Sequence, residues 1–214
     1  VVFLYGVLPG HDFGFAIITL TALIRILFFP LSIRTVRSQK ALSLLNPKLQ
    51  EIKQKFKDDK SAQSVETMKL YKENNINPLA GCLPLLIQLP ILIGLYQAFI
   101  AGLKPESLSM LYGFVSNPGM VNKISFGFID ITSKMPLLAI FAGVAQFIQA
   151  WATKAQNQNL NINKEMAALN SQMLYFFPIM IVIIGWNLPA GLVLYWITTT
   201  IFSVFEQLYI KYRG

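Results

Sequence analysis

Residues 13–33 read Phe-Gly-Phe-Ala-Ile-Ile-Thr-Leu-Thr-Ala-Leu-Ile-Arg-Ile-Leu-Phe-Phe-Pro-Leu-Ser-Ile, an apolar run with one charge, Arg25, set into it. Crossing roughly 30 Å of hydrocarbon takes about 20 such residues as a helix, so the run has the length of a membrane span. Arg25 lies eight residues before Ile33. At about 1.5 Å per residue that puts it roughly 12 Å from the end of the span, near mid-bilayer. An arginine there costs about 2.5–3.5 kcal/mol on insertion scales, and it cannot shed its proton to escape. Its side chain must therefore face protein or water rather than lipid.

Outward from this run the pattern repeats. Further apolar segments occupy 78–102, 135–153, 172–187 and 191–210, the second carrying Pro84 and Pro90 without a charge. Of the 214 residues 54% are hydrophobic and only 13% charged, and the net charge is +8. Soluble domains carry about 25% charged residues, so a single water-exposed core is excluded. The sequence predicts an all-α polytopic membrane protein with five transmembrane helices. Lysines and arginines set the orientation. Fourteen fall in 34–77, 154–171 and 211–214, whereas only Lys104, Lys123 and Lys134 fall in 103–134. The expected topology is N-terminus out and C-terminus in, with residues 1–33 holding the external N-terminus and first span.

Between spans one and two, Leu42, Leu45, Leu49, Ile52 and Phe56 recur at helical spacing. Asn46-Pro47 reads as an N-cap followed by proline at the first helical position, Asp58-Asp59-Lys60 as a turn, and Ser61 as the cap of a second helix bearing Val65, Met68 and Tyr71. Residues 34–77 are thus expected to form a cytoplasmic amphipathic helical hairpin. Its stripe would be covered by the second helix, the bilayer surface or a partner. The loop 103–134 is expected to be external, its apolar residues Leu108, Leu111, Phe114 and Phe126 suggesting a short interfacial helix. Residues 188–190 make an external turn, and 211–214 a cytoplasmic tail.

Polar stripes accompany Arg25. Thr21 and Ser32 share its face, Gln88 lies deep in span two, Gln146 and Gln149 recur on span three, and Trp196, Thr199, Ser203 and Glu206 on span five. Two readings fit: a closed bundle joined by interhelical hydrogen bonds, or a water-filled cavity lined by Arg25. A closed bundle requires a carboxylate level with Arg25. Glu206, the only acid inside a span, lies about four residues from the inner end, shallower than Arg25, and this favours the cavity. One cysteine, Cys82, and one histidine, His11, exclude a disulfide framework and a thiolate or histidine metal cluster. Intramembrane protease pairs and a nucleotide-binding loop are missing too, so no enzyme activity, cofactor or metal is expected. A small-solute transporter or channel using the same cavity is the alternative to a groove that receives polar segments of other chains.

The stretches Leu23-Ile24-Arg25-Ile26-Leu27-Phe28-Phe29-Pro30-Leu31, Asn77-Pro78-Leu79-Ala80-Gly81-Cys82-Leu83-Pro84 with Gln88-Leu89-Pro90-Ile91, and Leu188-Pro189-Ala190-Gly191-Leu192-Val193-Leu194-Tyr195-Trp196 span nearly the whole chain. In them the sequence resembles the YidC family of membrane protein insertases, within the Oxa superfamily. The resemblance implies five core helices around a hydrophilic groove open to the cytoplasm and to lipid. Arg25 would line that groove, with Gln146 or Gln149 and Trp196 as wall positions. The implied partners are nascent membrane proteins, the ribosome, the Sec translocon and the lipid bilayer, with no small-molecule substrate, in the bacterial plasma membrane. A large periplasmic domain and a long basic tail are missing from these residues, as expected of a short form or of a trimmed chain.

Overall fold

A computed structural model describes residues 1–77, 83–100, 115, 118, 121–156 and 164–213. Among these the chain is mostly helical: α1 Val2–Val7, α2 Phe13–Leu44, α3 Asn46–Lys55, α4 Lys60–Glu73, α5 Leu83–Ile100, α6 Pro136–Gln156, α7 Lys164–Gly185 and α8 Ala190–Arg213. A small hairpin, β1 Ile124–Ser125 and β2 Ile129–Asp130, precedes α6. Three stretches, Phe13–Leu42, Pro136–Thr153 and Ala190–Ile210, are long and apolar enough to cross a membrane. Gln88–Phe99 and Leu174–Gly185 are shorter apolar helices. The expected segments at Pro78–Cys82, Leu108, Leu111 and Phe114 lie outside the described residues.

Helix boundaries depart from the expected ones in informative ways. α2 does not stop at Ile33 but runs 32 residues with Pro30 inside it. Nothing between Arg34 and Leu44 breaks a helix, and polarity alone does not end one. Asn46 is the first residue of α3 rather than its cap, with Pro47 in the first turn. Asp59, not Ser61, caps α4, its carboxylate accepting from the Ala62 N–H at 2.9 Å. Leu45 and Leu70 are buried, whereas Val65 and Met68 are 63% and 51% exposed, so α4 covers α3 with a different face from the one the spacing suggested.

The direction of each helix follows from its contacts. α2 and α8 lie side by side and parallel: Phe13 and Ala190 share one buried cluster at their starts, and the Phe29 and Tyr209 rings meet edge-on at 5.5 Å further along. α5 runs the opposite way, with Phe99 6.0 Å from the Phe13 ring and Gln88 bonded to Tyr195. α6 is parallel to α8. The Ala190 N–H donates to the Ser133 carbonyl at 2.8 Å, and at the other end Thr153 Oγ1 lies 3.1 Å from Gln207 Oε1. α7 returns antiparallel to α6, so closely that a Cβ on Gly143 would sit 2.3 Å from Val182 Cγ2 and 3.1 Å from the Pro178 carbonyl.

The buried core concentrates where α2 and α8 begin: Tyr5, Phe13, Ile17, Leu95, Phe99, Ile129, Ile131, Ala190, Leu192 and Tyr195 pack together. α1 and the hairpin close over this end. The described part of the outer loop forms this hairpin, Ile124 opposite Asp130 and Ser125 opposite Ile129, with Phe126 in its turn; the rest of the expected interfacial helix lies outside the described residues. Its turn places Phe126 at φ 54 and Gly127 at φ 79. A bulky residue at positive φ is strained. Phe126 is held there by its N–H, 2.6 Å from Asp12 Oδ2, and by its ring, 5.0 Å from Phe15. The other oxygen of Asp12 accepts from Gly14 and Phe15, at 2.7 and 3.2 Å, and so caps α2. One carboxylate thus joins helix and hairpin. Burial pushes its pKa up, but bonds from Phe126, Ser125, Phe15 and Gly14 together outweigh this and hold it below the usual carboxylate value.

Two outcomes follow. Gly143→Leu forces α6 and α7 apart and lowers stability by about 1–3 kcal/mol or more, read as the thermal midpoint in detergent micelles. Gly94→Ala, where an added Cβ meets nothing within 4 Å, leaves that midpoint within error. Because the folded pKa of Asp12 is depressed, its contribution is intact above the ordinary carboxylate value of about 4 and decays as pH falls through the lower folded value. The protection of residues 122–130 against hydrogen exchange, taken relative to the intrinsic rate at each pH, therefore falls below about pH 4, and Asp12→Asn shows the lower protection already at neutral pH.

Candidate functional site

One turn inward of the buried cluster the seam between α2, α5 and α8 loosens into a cavity. Its volume is about 60 Å³, and Thr21, Arg25, Ser32, Thr35, Gln88, Tyr195 and Thr199 supply its polar lining. The helix repeat explains the set. Thr21, Arg25 and Ser32 stand four and seven residues apart on α2, and Tyr195 and Thr199 four apart on α8, so each group presents one face. Ile24, Phe28, Leu31 and Ile91 complete the wall. Thr21 and Thr35 return their hydroxyls to their own helix, donating to the Ile17 and Leu31 carbonyls at 2.7 and 3.1 Å. Across the cavity the Gln88 amide donates to the Tyr195 hydroxyl.

Arg25 has a counter-ion. Its Nη1 lies 3.5 Å from Glu206 Oε2, with the two side chains 19% and 8% exposed. This overturns the expectation that no carboxylate would stand level with it. Depth counted from the inner ends of the apolar runs misleads here, because both helices continue beyond those ends. Counted from the shared starting end, Arg25 is twelve residues into α2 and Glu206 sixteen into α8. That leaves a difference of roughly 6 Å along the axis. Side chains lean toward the helix N-terminus, so glutamate reaches back, and the long arginine closes the rest.

The pair is incompletely satisfied. The contact from Nη1 is long, and Glu206 Oε1 is buried without a hydrogen-bond partner, as is Thr199 Oγ1. The Ser32 hydroxyl stands beside the carboxylate. On its other side Arg25 borders a second, apolar recess of about 530 Å³ formed with Ile26, Phe29, Phe202, Phe205, Glu206, Tyr209 and Tyr212. The guanidinium therefore stands where a polar hollow and an apolar groove meet.

Of the residues singled out in the sequence, Thr21, Arg25, Gln88 and Thr199 come together in this cavity; Gln146, Gln149, Trp196 and Ser203 do not line it. Gln146 donates to Gln149 at 3.0 Å along α6, continuing a polar line that ends in Thr153 and Gln207 between α6 and α8. Trp196 packs on the cluster of Ala142, Ile181 and Val193, toward α6 and α7. The Ser203 hydroxyl donates to the Thr199 carbonyl at 3.1 Å. Tyr195 takes the place on the wall that the spacing gave to Trp196. Adjacent positions on a helix differ by about 100° in direction, so a three-four spacing does not choose between them.

Such a bundle, with membrane-length helices and a buried cation beside a polar hollow, belongs to the class of multi-pass helical membrane proteins. The chain is a member of the 60Kd inner membrane protein family, whose model matches residues 3–214. The membrane protein insertase YidC of Fusobacterium nucleatum is 34% identical over 203 residues, taking in 95% of this chain and 88% of the relative. The membrane protein insertase MisCA of Bacillus subtilis is 39% identical over 210 residues, 95% of this chain and 72% of the relative. The YidC insertase of Geotalea daltonii is 32% identical over 203 residues, and there the match covers 94% of this chain but 34% of the relative. With its membrane-length helices, this membership makes the chain a multi-pass protein of the bacterial cell membrane.

The bond across the cavity is measurable. A double-mutant cycle with Gln88→Leu and Tyr195→Phe gives a coupling of about 0.5–1.5 kcal/mol in thermal or chemical unfolding, the worth of one neutral hydrogen bond. A coupling near zero means that the two side chains do not act together.

Proposed function

We propose that this chain is a membrane protein insertase that receives polar or acidic segments of nascent membrane proteins in a hydrated groove around Arg25 and releases their apolar segments sideways into lipid. The observation that carries the reading is the Arg25 guanidinium lining a cavity whose other polar walls are uncharged, one turn from a buried apolar cluster. In this reading the chain crosses the bilayer five times, N-terminus out and C-terminus in, on α2, α5, α6, α7 and α8. The asymmetry of fourteen basic residues against three favours that orientation. The buried cluster, α1 and the hairpin then seal the outer side, and the cavity opens inward.

Energetics support water in the cavity. Its volume accommodates a few waters at about 10–15 Å³ each by this measure. A buried hydroxyl and a carboxylate oxygen without partners each cost about 1–3 kcal/mol, a cost that water relieves. Water raises the local dielectric, so a polar segment entering the cavity loses less hydration than in hydrocarbon. The guanidinium carries five N–H donors and a charge that no physiological pH removes. Glu206 stands 3.5 Å from Nη1, a loose contact that leaves the guanidinium able to hold an acidic or amide-rich segment. The apolar part of the substrate then leaves along α6 and α8, spans three and five, drawn by its own transfer into lipid. Leu137, Phe141, Val144, Ile148 and Trp151 of α6 are exposed and suit that passage. The α3–α4 hairpin, basic and on the inner side, is suited to meet the ribosome, the Sec translocon or anionic headgroups.

The test has two parts. In a Cys82-free chain a cysteine at position 25 reacts with a membrane-impermeant maleimide added from the inner side and not from the outer side; labelling from outside supports a channel or solute transporter instead. In an insertion assay with an acidic-tailed single-span substrate, Arg25→Lys retains activity, whereas Arg25→Ala and Arg25→Glu lower it by about tenfold, the effect of losing one charge-assisted contact of about 1.4 kcal/mol. Equal insertion by all versions removes charge from the mechanism.

A further inference from the structure

We propose that Glu206 is a built-in competitor for Arg25, which keeps the grip of the guanidinium on acidic segments weak and so sets how much negative charge a substrate must carry. The inference rests on the insertase reading above and assigns a specificity-determining role to a residue outside the polar cavity. Three observations carry it. The ion pair is long, Nη1 to Oε2 at 3.5 Å, beyond the roughly 2.7–2.9 Å of a charge-assisted hydrogen bond. The second oxygen of Glu206 is buried without a partner. And the two residues divide the surroundings: Arg25 lines both hollows, whereas Glu206 lines only the apolar one. A carboxylate arriving in the polar cavity therefore meets the free side of the guanidinium while Glu206 holds the opposite side.

The charge balance explains the consequence. Without Glu206 the site is a bare cation, and capture of one carboxylate neutralises it. With Glu206 the site starts neutral, and capture of one carboxylate leaves a net negative charge in a hollow that holds only a few waters. Displacing Glu206 outright is no easier, because a buried acid deprived of its partner is strongly destabilising. Either way the substrate must overcome the internal acid, so one acidic residue binds weakly, and a segment with several gains because any one of them can make the contact while the rest stay in solvent. The same competition returns Arg25 to Glu206 once the substrate moves on, which favours release. Apparent affinity falls by the fraction of time the cation is available, and removing the competitor restores it.

The unmodified chain, Glu206→Gln and Arg25→Ala are reconstituted in vesicles of phosphatidylethanolamine and phosphatidylglycerol. They are given single-span substrates whose translocated tails carry no, one or three aspartates, with insertion read by protease protection. In Glu206→Gln, insertion of the one-aspartate substrate rises about fivefold, and the advantage of three aspartates over one shrinks. An unchanged dependence on aspartate number, or an equal fall for all three substrates, overturns the competitor role while a deficient Arg25→Ala leaves the insertase reading standing. If Arg25→Ala inserts every substrate as well as the unmodified chain, the role of Arg25 fails and the competitor role with it; if the unmodified chain inserts no substrate above empty vesicles, it is the insertase reading that fails. Should Glu206→Gln not accumulate, Glu206→Asp keeps the charge on a shorter stem and is read by the same criterion: a weaker pair shifts the one-aspartate substrate in the same direction, and no shift refutes the inference.

Discussion

A guanidinium that cannot lose its proton, placed about twelve residues deep in an apolar helix, constrains the rest of this molecule. Hydrocarbon is closed to it, so the neighbouring helices must supply polarity at that depth. Thr21 and Ser32 on its own helix, Gln88 on α5 and Tyr195 with Thr199 on α8 meet that demand, and Glu206 supplies the opposite charge. The contacts are not those of a tightly closed bundle. An ion pair as long as 3.5 Å, with two buried oxygen atoms left without hydrogen bonds, is a poor way to bury a charge dry. It suits the hydrated groove of the proposed function better.

The hollow depends on what lies above it. α2 and α8 begin together and run parallel, and at their common start the side chains interlock with α5 through Phe99 and with the hairpin through Ile129 and Ile131. Gly191 has no side chain because the Phe99 ring occupies that space, a Cβ there falling 2.3 Å from it. Asp12 ties hairpin to helix, and its four bonds include one that holds Phe126 in a strained backbone conformation. Close packing ends at Thr21, where threonine and arginine replace alanine and isoleucine on the inward face. The change from Ala16 and Ile17 to Thr21 and Arg25 is the change from plug to cavity.

The apolar runs and the lone charge were legible in the sequence because both rest on large energies: burial of some 20 apolar residues, and the cost of an arginine in lipid. The pairing of Arg25 with Glu206 was not. It depends on where two helices begin relative to each other, and the sequence reveals only where their apolar stretches end. The same limit explains Trp196, whose spacing matched the polar stripe while its ring packs on Ala142 and Ile181. Gln146 and Gln149 were legible as a polar line on α6, but a helical period does not say which neighbour that line faces. Asp12 carried a signal that could have been read: an acid immediately before a long helix is a favoured cap. Its second role, holding the Phe126 turn 114 residues away, depends on the fold alone.

A neutral pair and an attractive cation are not in conflict once the geometry is considered. Two opposite charges about 3.5 Å apart cancel at a distance, so Arg25 does not steer substrates from afar. At contact range the cancellation fails, because a ligand in the polar cavity lies closer to the guanidinium than to Glu206, which borders only the apolar side. The basic loops can attract acidic chains toward the inner surface, over the Debye length of about 8 Å in physiological salt. In the proposed function, long-range attraction and short-range discrimination thus fall to different residues. The exposed lysines of α3 and α4 would bring a chain near. The Arg25–Glu206 pair would then respond only to what has already entered the cavity, and a weak grip there suits a site whose ligand must leave in another direction.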